Sequence, residues 1–123
     1  LGVVFIDLNG LKMINDQLGH NAGDEFIKNL AGVFRKHFRE EDIYRIGGDE
    51  FVFLMSRIGE SVFMKRVDAM KAEADRLFPD ATSMGCVWQE KNIKPSVMVQ
   101  QADILMYENK KEYYLRRDRA AAS

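Results

Sequence analysis

Ile43-Tyr44-Arg45-Ile46-Gly47-Gly48-Asp49-Glu50-Phe51-Val52-Phe53-Leu54-Met55 holds two strand-like apolar runs on either side of a polar, glycine-bearing turn. Short apolar runs joined by so few residues, with glycines at the tip, predict a β-hairpin. Upstream, Val3 to Leu8 is another short apolar run with one charge near its end, the pattern of a buried strand. Between it and the hairpin two helices are expected, roughly 10–18 and 22–38. In the second, Phe26, Ile27, Leu30, Phe34 and Phe38 recur at helical spacing, with Asn21 as N-cap and Gly19 as the stop before it. Downstream, Phe63, Val67, Met70, Ala74 and Leu77 form one apolar stripe, with Ser61 placed to cap the helix and Pro79-Asp80 to end it. Thr82 to Trp88 predicts a strand containing Gly85, and 90–94 a loop. Pro95 suits the first residue of a last helix to about Lys111, followed by a frayed tail. The order β-α-α-β-β-α-β-α, with a hairpin between crossover helices, predicts an α+β fold. A ferredoxin-like, palm-type sheet is expected, containing antiparallel pairs and carrying its helices on one face.

Bulk properties narrow the function classes. The 123 residues suit one domain, 1–123. A net charge of −1 gives no basic field for duplex DNA or an anionic membrane, so neither is an expected partner. The single cysteine, Cys86, excludes an internal disulfide and suits the role of a small buried hydrophobe. No apolar run reaches the ~20 residues that span a bilayer, and no signal peptide is visible, so a cytoplasmic location is expected. The start at Leu1-Gly2-Val3, already inside an apolar run, fits part of a longer protein whose anchor or sensor would lie upstream.

Two carboxylate positions could do chemistry. Asp7 ends the first strand, and Asp49 and Glu50 lie at the hairpin tip. If that strand neighbours the hairpin, these acids meet at one sheet edge. Magnesium needs only one or two carboxylates, with water and substrate phosphates completing its shell. Two such ions ~3.5–4 Å apart can stabilise both oxygens of an in-line phosphoryl displacement. A charged strand end and a polar turn would give the same letters. Gly47 and Gly48 can take positive φ and leave room for a ligand. Residues 7–11 turn a strand into a helix, whose amides at Asn9, Gly10 and Leu11 could hold phosphate, with Lys12 beside them.

The stretch from Arg45 to Phe51 contains the complete GGDEF signature and resembles the catalytic domain of diguanylate cyclases. Phe5-Ile6-Asp7-Leu8-Asn9-Gly10-Leu11-Lys12-Met13-Ile14-Asn15-Asp16 is similar to the family's metal-and-phosphate segment. Gly19-His20-Asn21-Ala22-Gly23-Asp24 resembles its G-H-x-x-G-D, and Ser83-Met84-Gly85 its later strand. Ala102-Asp103, Met106-Tyr107 and Lys110 resemble the run on its last helix. The resemblance implies joining of two GTP molecules into cyclic di-GMP with loss of pyrophosphate. It implies two magnesium ions, replaceable by manganese, held by Asp7, the Leu8 carbonyl, Asp49 and Glu50. Asn15 and Asp24 would contact guanine; Lys12 and Lys110, with the amides near Asn9, Gly10 and Leu11, would hold the triphosphate. Lys12, Asp49 and Glu50 would carry the catalytic charge, Gly47 and Gly48 would line the substrate, and His20 would have a turn or packing role. Each domain would hold one GTP, so turnover requires a homodimer, set up by an upstream sensory or dimerising domain.

Three departures from the family pattern matter. The second phosphate-binding arginine, four residues after Lys110, is Tyr114 here, leaving Arg116 or Arg117 as substitutes. The inhibitory R-x-x-D normally ends five residues before the signature. Arg39-Glu40-Glu41-Asp42 lies one residue too close, and the usual spacing falls on Phe38 and Glu41, so this site is expected to be absent or defective. The helix with D-x-L-T-G-L-x-N-R that normally precedes the first strand is missing. The alternative function is a catalytically weak or inactive domain that binds GTP or a protein and regulates a neighbour; a purely dimerising domain would leave the motif residues unexplained.

Overall fold

The computed structural model describes residues 1–91 and 93–122. Asn92, inside the expected 90–94 loop, and Ser123, at the end of the expected tail, lie outside them. The elements are β1 (Gly2–Leu8), α1 (Leu11–Leu18), α2 (His20–His37), β2 (Ile43–Arg45), β3 (Glu50–Met55), α3 (Glu60–Leu77), β4 (Thr82–Trp88) and α4 (Pro95–Ala122), with one 3₁₀ turn at Glu40–Asp42. The four strands run in the order β2-β3-β1-β4, and every neighbouring pair is antiparallel. The expected α+β, ferredoxin-like sheet is therefore present, with β1 and β3 at its centre.

The helices do not share one face, contrary to the expectation. Side chains alternate along β1. Val4, Ile6 and Leu8 join Phe34 of α2 and Phe63 and Met70 of α3 in one buried cluster. Val3 and Phe5 join Val52 and three α4 residues, Met98, Ala102 and Met106, in a second. A strand that is apolar on both faces must be covered on both, and α4 supplies the second cover. The larger cluster is knit by aromatic edges: the Phe34 ring meets those of Phe51 and Phe53 at centroid distances of 5.3 and 5.2 Å.

Several helix ends differ from the expected ones. Gly10 (φ 81°) and Gly19 (φ 89°) take left-handed conformations that a side chain resists. Gly10 caps α1, which starts at Leu11. Gly19 breaks the chain between α1 and α2, so α2 restarts at once at His20, and Asn21 is helical rather than a cap. Gly59 caps α3, and Ser61 lies inside it. α4 continues past Lys111 through the expected tail. Its later turns are tied down by half-buried Tyr113 and by the Arg116–Asp80 ion pair at 3.3 Å, and arginine and alanine favour helix there. Cys86 packs against the larger cluster, and burial pushes its thiol up to about 11, which leaves it protonated and inert at neutral pH.

Gly85 sets how closely α4 lies on β4. A Cβ there would stand 1.9 Å from the Ala102 carbonyl oxygen and 2.5 Å from the Met106 amide nitrogen. Both are helix backbone and cannot swing aside. Gly85→Ala should therefore lift α4 from the sheet and lower stability by about 2–3 kcal/mol, read as a reduced urea midpoint. An unchanged midpoint would show that α4 is not seated on this strand.

Candidate active site

Pairing of β1 with β3 sets Asp7 opposite Glu50, and the Leu8 amide donates to the Asp49 carbonyl at 2.8 Å. The strand-end acid and the two turn acids thus meet at one end of the sheet's centre. Asp7 follows Val3 and Phe5 by the two-residue alternation, so its side chain points to the α4 side. There Lys110 Nζ donates to Asp7 Oδ2 at 2.7 Å, with both side chains largely buried.

The electrostatics follow from this crowding. Burial pushes the Asp7 carboxyl above its ordinary value and the adjoining Asp49 adds to the rise, while the Lys110 ammonium opposes it. Glu50 is also raised, by burial first and then by the charges of Asp7, Asp49 and Asp103. Asp103, one of the family-like residues given no role from sequence, comes to the site on α4, seven residues before Lys110. Concentrated negative charge of this kind suits a bound cation.

The residues fit magnesium. Asp7 Oδ1 is buried and accepts no hydrogen bond, which is costly for a carboxylate oxygen unless a cation meets it. Among the described residues no three histidine, cysteine or acidic side chains could hold a metal by themselves. Magnesium does not require that many; Asp7, Asp49 and the Leu8 carbonyl leave the remaining positions to water and phosphate.

Beside the acids lies an open cleft of about 390 Å³. Leu8, Gly10, Leu11, Lys12 and Asp49 line it together with Lys110 and residues of the later turns of α4. Leu11 begins α1, where amides have no partner within the helix and suit an anion. Asn9 departs from its expected place in the phosphate cradle. Its amide donates to the Ala81 carbonyl at 2.7 Å, its Nδ2 to the Asp80 carbonyl at 2.9 Å, and its Oδ1 accepts from Ser83 at 3.0 Å. It is a buried tie between β1 and β4, so the candidate cradle narrows to Gly10 and Leu11.

The turn also departs from expectation. Neither Gly47 nor Gly48 has positive φ. Arg45 shapes the turn instead, donating from Nε to the Gly47 carbonyl at 3.2 Å and from Nη2 to the Gly48 carbonyl at 2.8 Å. Space for a ligand is present at Gly48, where a Cβ would meet nothing within 4 Å. The Asn15 side chain lies against Gly23, where a Cβ would stand 1.8 Å from its Oδ1, and Asp24 is the next residue, exposed on α2. Asn15 thus meets the residue before Asp24, and neither Asn15 nor Asp24 lines the cleft. His20 is exposed at the start of α2. Arg39 is paired with Glu41 rather than Asp42, through Nε at 2.8 Å and through Nη2.

The Asp7–Lys110 pair yields a direct test. Lys110→Met leaves a buried carboxylate without its counter-charge and should cost about 2 kcal/mol in urea unfolding at pH 7. Adding Asp7→Asn should recover most of that loss. Additive losses in the double variant would show that the two side chains do not act as a pair.

The family model "Diguanylate cyclase, GGDEF domain" matches residues 1–114. The diguanylate cyclase TpbB of Pseudomonas aeruginosa is 31% identical over 123 aligned residues, covering 91% of this chain and 28% of that protein. Diguanylate cyclase DosC of Escherichia coli is 31% identical over 77 residues, covering 62% and 17% respectively. The chain therefore spans less than a third of the length of these relatives. The solved GGDEF domain of P. aeruginosa TpbB superposes with a TM-score of 0.75 at 30% identity, covering 90% of this chain and 76% of that one. The GGDEF domain of Caulobacter crescentus DgcB, solved with cyclic di-GMP, gives 0.77 at 22% identity, over 90% and 72%, a likeness of fold. Matched along nearly its whole length in sequence and in fold, this chain belongs to the GGDEF domain family.

Proposed function

We propose that this domain is a diguanylate cyclase, condensing two GTP molecules into cyclic di-GMP. The observation that carries the reading is the meeting of Asp7, Asp49 and Glu50 at the edge of a cleft bearing Lys12 and Lys110. The ribose 3′-oxygen of one GTP attacks the α-phosphorus of the other; the bond to the β-phosphate breaks, pyrophosphate leaves, and the hydroxyl proton passes to solvent. The reciprocal step closes the ring, so two GTP give one cyclic di-GMP and two pyrophosphates. Magnesium held by Asp7, the Leu8 carbonyl, Asp49 and Glu50, in one or two ions, would lower the hydroxyl's pKa and neutralise phosphate charge; manganese would serve similarly.

The chain's own groups position and neutralise. Lys12, Lys110 and the amides of Gly10 and Leu11 hold phosphate oxygens, and Gly48 lets the substrate approach the turn. Asn15, whose side chain lies against Gly23, and the adjoining Asp24 read the guanine edge. A carboxylate accepts from the ring N–H and the exocyclic amine, a pair that adenine lacks. Each domain holds one GTP, so a second copy must face it, and an upstream domain of the full-length protein would control that encounter. The regulatory alternative has one observation in its favour: Lys110 is engaged by Asp7, so it must give up that bond before gripping phosphate.

Incubation with GTP and magnesium at high protein concentration, beside Asp49→Ala and with ATP as competitor, tests the proposal by chromatography of the products. Cyclic di-GMP from GTP alone, lost by at least ~100-fold in the variant, is expected. Saturable GTP binding without product, persisting in an artificially dimerised fusion, would replace the cyclase by a GTP-binding regulatory module. With Arg39 held by Glu41, added cyclic di-GMP should leave the initial rate unchanged; inhibition that disappears in Arg39→Ala would restore the inhibitory site.

A further inference from the structure

Lys110, Tyr114 and Arg117 follow one another at spacings of four and three along α4, which stacks them on one helix face. The Lys110 ammonium lies 5.9 Å from the centroid of the Tyr114 ring and the Arg117 guanidinium carbon 5.1 Å from it. Arg117 lines the cleft together with Lys12, Lys110 and Asp49. Arg116 is committed elsewhere, pairing with Asp80 at 3.3 Å. Among the described residues Arg117 has no carboxylate within ion-pair range.

We propose that Arg117 binds the distal phosphates of the bound nucleotide and that Tyr114 is its positioning residue. The inference rests on the reading of the cleft as a nucleoside triphosphate site. A tyrosine at position 114 cannot supply the charge of the arginine found there in the family. It offers instead a flat π face on which a guanidinium lies, one turn further along the helix. Contact with the ring limits the rotamers of Arg117, whose edge N–H donors form the fork that matches two phosphate oxygens. Lys110 is held against Asp7 and Arg117 lies two helical turns further along α4, so Arg117 takes the far end of the chain of phosphates, the part that leaves as pyrophosphate.

Equilibrium binding in magnesium tests this with three probes: GTP carrying a methylene α,β-bridge, which cannot react, GMP, and inorganic tripolyphosphate. Arg117→Ala should weaken the bridged analogue and tripolyphosphate by about tenfold or more and leave GMP unchanged. Arg116→Ala should bind all three as the parent does. Tyr114→Phe keeps the ring face and should retain parental affinity, whereas Tyr114→Leu should lose part of it. Arg117 is exposed, so its replacement empties no core. Parental affinities in Arg117→Ala, or a loss that extends equally to GMP, would overturn the inference. A parent that binds tripolyphosphate through Arg117 yet makes no cyclic dinucleotide, even as the dimerised fusion, would uphold it while removing the cyclase reading; a parent that binds neither analogue nor tripolyphosphate would remove both.

Discussion

Strand β1 is hydrogen-bonded along both edges and covered on both faces, and the rest of the molecule is arranged by that enclosure. Its register with β3 leaves no freedom in where Asp7 falls relative to Glu50. A slip of one residue would turn Val4, Ile6 and Leu8 out of the larger core and move Asp7 to the wrong face, so apolar packing and site geometry are specified together. The pairing that sets the apolar packing also aligns the acids. Such a site needs no flexible loop to assemble it.

α4 links stability to chemistry more directly. It covers the second face of the sheet through Met98, Ala102 and Met106, and its next turns carry Lys110 to Asp7, with Tyr113, Tyr114 and Arg117 beyond. The close seat at Gly85 fixes the height of the helix, and hence the reach of Lys110. One long element thereby sets both the counter-charge of the buried acid and the cationic wall of the cleft. The lysine's bond to Asp7 satisfies one carboxylate oxygen and leaves Oδ1 without a partner, so the site holds negative charge that only a cation or a proton can relieve.

Much of this was legible in the sequence, and the exceptions have physical causes. The hairpin, β1, the α3 stripe and the Pro95 start carry strong local signals, and all four elements are present. The second covered face was missed because apolar residues surround α4: Val97, Ile104, Leu105 and Tyr107 are exposed, so periodicity does not mark the buried stripe of Met98, Ala102 and Met106. The Asn21 cap was misplaced because Gly19, with positive φ, both ends α1 and lets α2 restart at once. The juxtaposition of Asp7 and Asp49 could be inferred from neighbouring strands. The Lys110 contact spans 103 residues, and no local pattern signals it. The inward turn of Asn9 and the grip of Arg45 on the turn carbonyls likewise depend on partners that only the assembled sheet supplies.

The proposed complex joins a divalent ion and a guanine nucleotide at Asp7, held at this register beside Asp49. Electron paramagnetic resonance of manganese added with the unreactive α,β-methylene analogue of GTP reads that complex directly. A protein-bound manganese signal that needs both protein and nucleotide is expected, with affinity falling by about tenfold or more in Asp7→Asn. An undiminished signal in that variant would place the metal on other residues and rule out Asp7 as its ligand.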